Sequence, residues 1–397
     1  MSFLNAVLWS GVALCALPTA VFCLQILSAR LGRQGPLGGA ARPDVADRLP
    51  ATVILMPAHN EEKVIAQTLA SLDGLPDGFH VVVVADNCND QTAAIARQWG
   101  GSVVERSSQS LRGKGYALQH GLDHLKTQPP EVVIVLDADC TTSADDMHRL
   151  AQCCRQLARP VQGIYLMHAP QGSSLATRVA EFAWRVKTMV RPLGWRKWGG
   201  TVQLMGSGFA LPWSVATDLN LASGHIVEDM KLTFDLAERG MAPVFVTDAR
   251  VSSLFPTAGA AQDTQRRRWE HGHLSMVFSD VPRAMVQALT RGNRQLLSVA
   301  LDLLVPPLSL LVLMLTALAA LAVLQMGVWA PSWGGTLALL MAVATAVAVL
   351  LAWSRWGRDV LSARELLAVP GFVLRKLGVY AGFVNKREKS WNRTDRD

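Results

Sequence analysis

Polar residues that could act on a charged ligand follow several apolar runs of this 397-residue chain. The most informative are Asp137 and Asp139, which lie two residues apart where one such run ends. Because side chains alternate between the two faces of a strand, both carboxylates are expected on the same side. Two hard oxygen ligands on one side suit Mg²⁺ or Mn²⁺ shared with a diphosphate. Turns also produce Asp-x-Asp pairs, so this metal hypothesis depends on the neighbouring motifs.

Two more polar clusters follow earlier apolar runs. Pro57, Ala58 and Glu61 come after the first run, and Asp86 comes directly after the second. Asn and Asp favour turns and helix caps, and Asp90 could be an N-cap, so one such cluster would mean little. Clusters at the ends of the first, second and fourth predicted strands together predict a ligand pocket.

The next motifs combine cations, glycines and carboxylates. Lys114 lies in a Gly-rich cationic turn that could approach phosphates, although a solvated loop is an equal alternative. Gly206 and Gly208 lie in an apolar run, which predicts close approach of the backbone to a ligand or to another strand. Glu228 and Asp229 precede a helical pattern, where they could cap the helix or supply a general base for a sugar hydroxyl.

A basic motif lies further along the chain, at residues 265–269. If this stretch is helical, Gln265, Arg268 and Trp269 share one face by their spacing of three and four. That face presents a hydrogen-bond donor, a cation and a ring, which could hold a pyrophosphate and border a pocket. A basic amphipathic helix on anionic lipid is the alternative, and the two roles are compatible.

Elements that would position these residues are predicted between about Pro50 and Val251. Continuous apolar runs there alternate with helical patterns, as in βαβ units of an open, doubly wound, mostly parallel sheet. Ligands of such sheets bind beyond the carboxyl ends of the strands. The predicted strands are Thr52–Met56, Val81–Ala85, Ser102–Glu105 and Val132–Leu136, and the predicted helices are Glu61–Leu72, Gln91–Trp99 and Gly115–Lys126.

The two ends of the chain are strongly apolar. The whole sequence is 50% hydrophobic and 17% charged, against roughly a quarter charged in average soluble domains. The run from Phe3 to about Ala29 predicts a transmembrane helix, with a cleaved signal peptide as the alternative. Leu296 to about Trp329 and Trp333–Trp353 predict a transmembrane hairpin, bent at Pro306 and Pro307.

Basic residues predict the orientation of these spans and a peripheral helix. Leu366–Val384 is apolar but carries Arg375 and Lys376 near its centre, which favours an interfacial helix over a span. By the positive-inside rule, the C-terminal flanks of the first and last spans lie in the cytosol and the N-terminus outside. The residues concerned are Arg30, Arg33, Arg42, Arg355, Arg358, Lys386, Arg387 and Lys389. We therefore expect an integral inner (plasma) membrane protein with a cytosolic central domain.

Charge and cysteine content exclude other classes. The net charge of +7 favours lipid headgroups and phosphates as partners. A basic stripe with interleaved aromatics is missing from the sequence, so nucleic acid is not an expected partner. The six cysteines have neither zinc-site spacing nor a disulfide pattern, which fits a reducing compartment.

Four motifs in order resemble the D, DxD, ED and QxxRW pattern of membrane-bound family-2 glycosyltransferases. They are Asp86, Asp137 with Asp139, Glu228 with Asp229, and Gln265 with Arg268 and Trp269. The resemblance covers about Pro50 to Val277, with flanking helices placed as in the family, which includes cellulose, chitin, hyaluronan and poly-N-acetylglucosamine synthases and non-processive glycolipid enzymes. It implies a GT-A fold and inverting transfer from a UDP- or GDP-sugar with Mg²⁺ or Mn²⁺.

The resemblance also implies a role for each matched residue. Asp229, beside Glu228, would deprotonate the acceptor hydroxyl, while the metal and Arg268 would stabilise charge on the departing diphosphate. Nucleotide-sugar contacts would come from Pro57, Ala58, Glu61, Asp86, Lys114 and Asp137, metal ligands would be Asp137 and Asp139, and Gly208, Gln265 and Trp269 would border the acceptor site.

Two departures from the family limit this inference. Val227 stands where many synthases have Thr, and only three spans are predicted, too few for a chain-extruding synthase acting alone. We therefore expect a non-processive transferase acting on a lipid-linked or glycolipid acceptor, held to the bilayer by the amphipathic stretch Leu175–Arg191. The alternatives are a processive synthase with partner proteins of a polysaccharide assembly system, or an inactive membrane scaffold.

The expected domain organisation follows from these assignments. The segments are a transmembrane helix at 1–29, a linker at 30–49, the catalytic domain at 50–251, the QxxRW and interfacial helices at 252–295, the transmembrane hairpin at 296–353 and an interfacial helix with a basic cytosolic tail at 354–397.

Overall fold

The computed structural model describes residues 3–32, 48–222, 227–256, 259–328, 332–369, 371 and 380. These residues form two compact units. The helical unit comprises the described residues of Met1–Gly32, Gln171–Gly200 and Gln265–Glu388. The sheet unit comprises the described residues of Arg33–Pro170 and Thr201–Thr264.

The sheet unit is built on one sheet. Its strands are β1 (Thr52–Ala58), β2 (Phe79–Asp86), β3 (Ser102–Arg106), β4 (Val132–Val135), β5 (Val161–His168), β6 (Phe209–Pro212) and β7 (Val244–Leu254). They are ordered β3-β2-β1-β4-β6-β5-β7, and β6 runs antiparallel to both of its neighbours while the other pairs are parallel. The predicted mostly parallel α/β fold is therefore confirmed.

Helices of the described residues precede, cover and follow this sheet. In chain order they are α1 (Phe3–Leu31), α2 (Ile65–Ala70), α3 (Thr92–Trp99), α4 (Lys114–Leu125), α5 (Ala144–Leu157), α6 (Leu175–Arg185) and α7 (Arg191–Trp195). They continue with α8 (Trp213–Ala216), α9 (Glu228–Glu238), α10 (Gly259–Arg291), α11 (Arg294–Leu304), α12 (Leu308–Val328), α13 (Trp333–Trp356) and α14 (Ala363–Leu366). A π-helical turn, Val186–Val190, joins α6 to α7, and a 3₁₀ turn, Arg196–Trp198, follows α7.

Helix α4 packs closely on the sheet and thereby fixes where its first residue, Lys114, lies. Leu118 and Leu122 of α4 belong to one buried cluster with Leu55 and Val84 of the sheet. A Cβ at Gly121 would lie 2.4 Å from Leu55 Cδ1, so a larger residue there would push α4 away from the sheet. This close contact holds the N-terminus of α4 at the carboxyl edge of the strands.

The glycine-rich turn before β6 is fixed by backbone conformation and packing. Gly206 and Gly208 have φ values of +82° and +69°, in the left-handed region that glycine tolerates. A Cβ at Gly208 would lie 2.7 Å from Val251 Cγ2 of β7. The sequence predicted that the backbone here approaches either a ligand or another strand. Gly208 approaches another strand, β7.

The helical unit contains three helices long and apolar enough to cross a membrane: Phe3–Leu31, Leu308–Gly327 and Trp333–Trp356. The predicted continuous span from Leu296 is wrong, because α11 ends at Leu304 and a new helix begins at Leu308. Proline at 306 and 307 provides no backbone N–H for a continuing helix, and the bend expected there is a break.

A buried polar cluster joins three helices of this unit. Arg191 donates from Nε to Gln25 Oε1 at 2.7 Å and from Nη2 to Asp302 Oδ1 at 2.8 Å, and Gln25 Nε2 donates to the same Asp302 oxygen at 2.7 Å. All three side chains are buried. Because the charged groups of Arg191 and Asp302 pair with each other, the cost of burying them is offset.

A glycine allows α7 to approach α1 closely. A Cβ at Gly194 would lie 1.7 Å from the Gln25 carbonyl oxygen, so only glycine fits at this contact.

The apolar side of the amphipathic stretch Leu175–Arg191 packs inside the helical unit, while its role in holding the protein to the bilayer stays a prediction. Val179, Phe182, Val186 and Val190 are buried in one cluster with residues of α1 and α13. Protein therefore covers this face within the helical unit. The expected interfacial helix Leu366–Val384, the basic tail and the linker carrying Arg33 and Arg42 lie largely outside the described residues.

Substitution of Gly208 tests the packing of the turn before β6. Gly208→Ala combines a left-handed alanine, about 1–2 kcal/mol, with overpacking against Val251, a further ~1–3 kcal/mol. Gly240→Ala is the matched control, because Gly240 has φ +71° and nothing within 4 Å of its added Cβ. We expect a larger fall in the melting temperature of the detergent-purified full chain for Gly208→Ala, and equal falls would contradict the packing argument.

Candidate active site

The carboxyl ends of β1, β2 and β4 meet at one edge of the sheet. β1 pairs in parallel with β2 on one side and with β4 on the other. Asp86 is the last residue of β2, and Asp137 follows β4 by two residues. Chain order reverses on either side of β1, and this is where open α/β sheets bind their ligands.

The turns after β1 and β2 are hydrogen-bonded to each other. Asn60 Oδ1 accepts from the backbone N–H of Asn89 at 2.8 Å, and the N–H of Glu61 donates to Thr92 Oγ1 at 2.8 Å. Asp90 Oδ1 accepts from the N–H of Thr92 at 3.0 Å, but the N-cap position of α3 is occupied by Gln91, so the alternative of Asp90 as the N-cap is wrong. These bonds hold the Pro57–Glu61 segment against the turn after Asp86.

Asp86 pairs with a cation that the sequence analysis did not single out. Arg106 Nη1 donates to Asp86 Oδ1 at 2.5 Å, and the two side chains are only 11% and 8% exposed. Arg106 also donates to the carbonyl of Leu111 at 2.7 Å and lies over the ring of Tyr116, 5.6 Å from its centroid. Arg106 is the register partner of Asp86 in the β2–β3 pair, a signal readable only once the strand pairing is known.

Asp137 and Asp139 could hold a divalent cation. Their carboxylates lie within 4.8 Å of each other and of the Cys140 sulfur. Burial, followed by the charges of Asp139 and Asp137, raises the pKa of the Cys140 thiol well above its ordinary range, and the thiol donates to Asp139 Oδ1 at 3.6 Å. The two carboxylates supply the oxygen ligands that a hard cation such as Mg²⁺ or Mn²⁺ prefers, so the pair fits such a cation.

Buried polar groups lie behind these aspartates. Ser207 Oγ accepts from the backbone N–H of Asp137 at 3.0 Å and donates to Cys140 Sγ at 3.4 Å. The Tyr165 hydroxyl lies 3.9 Å from the same sulfur and 3.0 Å from Ser253 Oγ. Burial raises the pKa of Tyr165 well above its ordinary value, with the neighbouring Cys140 and aspartates adding to the effect. The aspartate turn therefore rests on neutral, hydrogen-bonded side chains.

Lys114 links the aspartate turn to α9. Its ammonium group forms an ion pair with Asp137 Oδ1 and donates to the Gly206 carbonyl at 2.6 Å. Burial acts to lower the pKa of Lys114, but the charges of Asp137, Glu228 and Asp229 outweigh it and leave the pKa raised. Lys114 is therefore protonated and faces three carboxylates.

Glu228 and Asp229 form the first turn of α9, and their side chains are partly exposed. Asp229 Oδ1 accepts from the N–H of Met230 at 2.8 Å. A Cβ at Gly206 would lie 3.7 Å from both Asp229 Oδ2 and Lys114 Nζ, so the glycine leaves space beside these groups. Helix N-termini favour negative charge, which supports two adjacent carboxylates here.

These groups border a cleft that is partly open to solvent. Its lining combines the acidic and basic side chains above with apolar ones. The lining residues are Lys114, Gly115, Leu118, Gly206, Phe209, Leu219, Asn220, Leu221, Glu228, Asp229, Lys231, Leu232, Asp235 and Arg239. Gly206 lines this cleft, whereas Gly208, the predicted acceptor contact, is buried against β7.

The basic motif lies on α10, so its predicted helical conformation is confirmed. Gln265, Arg268 and Trp269 belong to the helical unit. Gln265 is buried, and the Trp269 ring stacks on Trp184 with centroids 4.9 Å apart and planes at 29°. Their predicted roles toward the diphosphate and the acceptor stay predictions.

Comparison with known proteins identifies similar chains. Residues 50–272 match the family described as "Glycosyltransferase like family 2". The chain is 27% identical over 242 residues to a probable glycosyltransferase, YdaM, of Bacillus subtilis, covering 58% of this chain and 57% of that protein. It is 33% identical over 87 residues to a dolichyl-phosphate hexose transferase of Haloferax volcanii, covering 22% of this chain and 35% of that protein. The chain thus spans less than two thirds of the length of these curated relatives.

A solved structure resembles nearly the whole chain. The mannosyltransferase PcManGT from Pyrobaculum calidifontis, in complex with GDP-Man and Mn²⁺, superimposes with a TM-score of 0.53 at 20% identity. The match covers 94% of this chain and all of that one. At 20% identity, this similarity shows a shared fold and no more.

Removal of Arg106 tests the buried pairing of Asp86. Arg106→Met leaves the Asp86 carboxylate enclosed without its cation, which we expect to destabilise the protein by about 3–5 kcal/mol. Arg97→Met is the control, because the Arg97–Glu105 pair is 52% and 61% exposed and such surface pairs contribute about 0–1 kcal/mol. Thermal unfolding of both variants is measured. Equal melting temperatures would show that the buried Asp86–Arg106 pair stabilises the protein no more than the exposed Arg97–Glu105 pair does.

Proposed function

Because this chain belongs to glycosyltransferase-like family 2, we propose that it moves a sugar, with inversion, from a UDP- or GDP-sugar to a lipid-linked or glycolipid acceptor. The reaction takes place at the cytosolic face of the inner membrane, in exopolysaccharide or glycolipid synthesis. The observation that carries this proposal is the convergence of Asp137, Glu228 and Asp229 on Lys114 at the carboxyl edge of the sheet.

The donor site is proposed at the ends of β1, β2 and β4. Pro57, Ala58, Glu61 and Asp86 contact the nucleoside there. Asp137 and Asp139 hold Mg²⁺ or Mn²⁺, a choice supported by the oxygen ligands of the pair and by the Mn²⁺ in the similar Pyrobaculum enzyme. The bound cation would neutralise the departing diphosphate, and Lys114 and Arg268 would add positive charge beside it.

The proposed catalytic base is Asp229, with Glu228 beside it. Asp229 lines the open cleft and lies near Lys114, the group expected to face the diphosphate. A base in this position can take the proton from an acceptor hydroxyl as the hydroxyl oxygen attacks the sugar. Gln265 and Trp269 are proposed to border the acceptor, while the tight packing of Gly208 on Val251 favours a structural role for that glycine.

A lipid-linked acceptor is supported by the helical unit. Its three long apolar helices would keep the enzyme at the bilayer, where such acceptors reside. The similar Haloferax protein is named for a dolichyl-phosphate acceptor. Transfer of a single sugar, rather than polymer synthesis, fits the small number of candidate spans among the described residues.

Conversion of the proposed base to its amide tests the activity. Full-length protein in detergent is given UDP- and GDP-sugars with Mn²⁺ and a membrane lipid extract, and we expect one singly extended lipid. Asp229→Asn should lower the transfer rate by about 10²–10⁴-fold while leaving nucleoside diphosphate affinity nearly unchanged.

The control for this measurement is Glu238→Gln, an acid-to-amide change at an exposed position at the other end of α9. It should transfer at the wild-type rate. Long polymer as the product would favour a processive synthase, and full activity of Asp229→Asn would exclude Asp229 as the base. Consumption of none of the donors would contradict the proposed function.

Reporter fusions test the proposed orientation. Basic residues after α1 and around the end of α13 predict that both flanks are cytosolic. Alkaline phosphatase fused to the C-terminus should therefore be inactive, and green fluorescent protein at the same place should fluoresce. Alkaline phosphatase fused after Val328, between α12 and α13, should be active; the reverse pattern would invert the topology.

A further inference from the structure

The contacts of Lys114 extend beyond those of a donor-binding cation. Its ammonium group pairs with Asp137, one of the two proposed metal ligands. The side chain is 19% exposed and that of Asp137 is 27% exposed, so water screens this ion pair only in part. A divalent cation and Lys114 would thus draw on the same carboxylate.

The carbonyl of Gly206 fixes where the ammonium lies. Lys114 Nζ donates to this carbonyl at 2.6 Å, and the left-handed backbone at Gly206 makes that carbonyl available. The packing of Gly121 on Leu55 holds α4 against the sheet, and Lys114 is the first residue of α4. The position of the cation is therefore built into the fold rather than being one of many orientations of a mobile side chain.

The positive charge of Lys114 affects how a divalent cation can bind beside Asp137. Three carboxylates, those of Asp137, Glu228 and Asp229, act on Lys114, which borders the cleft together with Asp229 and donates to the Gly206 carbonyl. A dication entering beside Asp137 meets a resident positive charge and must displace it from the shared oxygen. A diphosphate, in contrast, offers the released ammonium new oxygen partners.

We propose that Lys114 is a resident counter-ion of Asp137 that opposes divalent-cation binding while the donor site is empty, and so makes tight metal binding depend on the arrival of the donor diphosphate. The inference rests on the proposed role of Asp137 as a metal ligand. Lys114 is then a positioning residue. Its removal would strengthen divalent-cation binding to the empty donor site and weaken binding of the diphosphate. Such coupling is reciprocal, because each ligand changes the affinity of the other by the same factor.

Mn²⁺ alone, without nucleotide, is the direct probe. Binding to the full-length protein is measured by titration calorimetry and by the electron paramagnetic resonance signal of free Mn²⁺, at fixed ionic strength. Lys114→Met should bind Mn²⁺ about tenfold more tightly than the wild type, a change of about 1.4 kcal/mol. In the presence of pyrophosphate, the gain in Mn²⁺ affinity that pyrophosphate confers should be smaller in the variant than in the wild type.

Three variants serve as controls. Lys126→Met removes a lysine that directly follows α4 and is paired with Asp123 at 55% exposure, so Mn²⁺ affinity should stay within about twofold of wild type. Asp137→Asn should abolish the site in either background. Lys114→Arg keeps the charge and guards against a folding defect of Lys114→Met, and we expect it to bind Mn²⁺ about as the wild type does.

The outcomes separate this inference from the proposed function. Equal or weaker Mn²⁺ binding by folded Lys114→Met, or no binding by either protein, would overturn the counter-ion role. Neither result depends on which sugar is transferred. If no nucleotide sugar is consumed but Lys114→Met gains Mn²⁺ affinity, the transferase proposal fails while the counter-ion role stands.

Discussion

The carboxylates at the end of β4 and the start of α9 depend on one cation, Lys114. Without a positive charge between them, Asp137, Glu228 and Asp229 would repel one another. Lys114 pairs directly with the first of these, and its raised pKa reflects all three. The packing of α4 and the hydrogen bond to the Gly206 carbonyl both place this ammonium group.

Around this cation, the site is made of short turns supported by rigid elements. Asp86 is held by Arg106 from the neighbouring strand, and the turns after β1 and β2 are tied through Asn60 and Thr92. The aspartate turn rests on the buried Ser207 hydroxyl. Such support fixes the orientation of polar groups before a ligand arrives, which lowers the reorganisation needed on binding.

A buried polar cluster in the helical unit joins the candidate span α1 to two further helices. Arg191, Gln25 and Asp302 satisfy one another inside the unit and connect α7, α1 and α11. The helix break before Leu308 separates α11 from the apolar helix α12. The apolar side of α6 is used for packing against α1 and α13, which ties the segment between β5 and β6 to the candidate spans.

Local sequence patterns determined much of this protein. The predicted strands at β1 to β4 lie within a few residues of the observed ones, because continuous β-branched runs and the turns that end them are local signals. The assignment to family 2 is confirmed by the match over residues 50–272, while the roles of the motif residues Asp86, Asp137 and Asp139 stay predictions. The three apolar helices were likewise evident from length and composition.

Tertiary structure alone decided which of these residues meet. The antiparallel insertion of β6 between β4 and β5, the pairing of Asp86 with Arg106 and the burial of Gly208 against Val251 all depend on strand order, which no local pattern encodes. The same holds for Lys114: its sequence context allowed a solvated loop, and only the packing of α4 places it on Asp137. Residue types therefore determined which chemistry was available, whereas contacts between residues far apart in the chain determined where the charges balance.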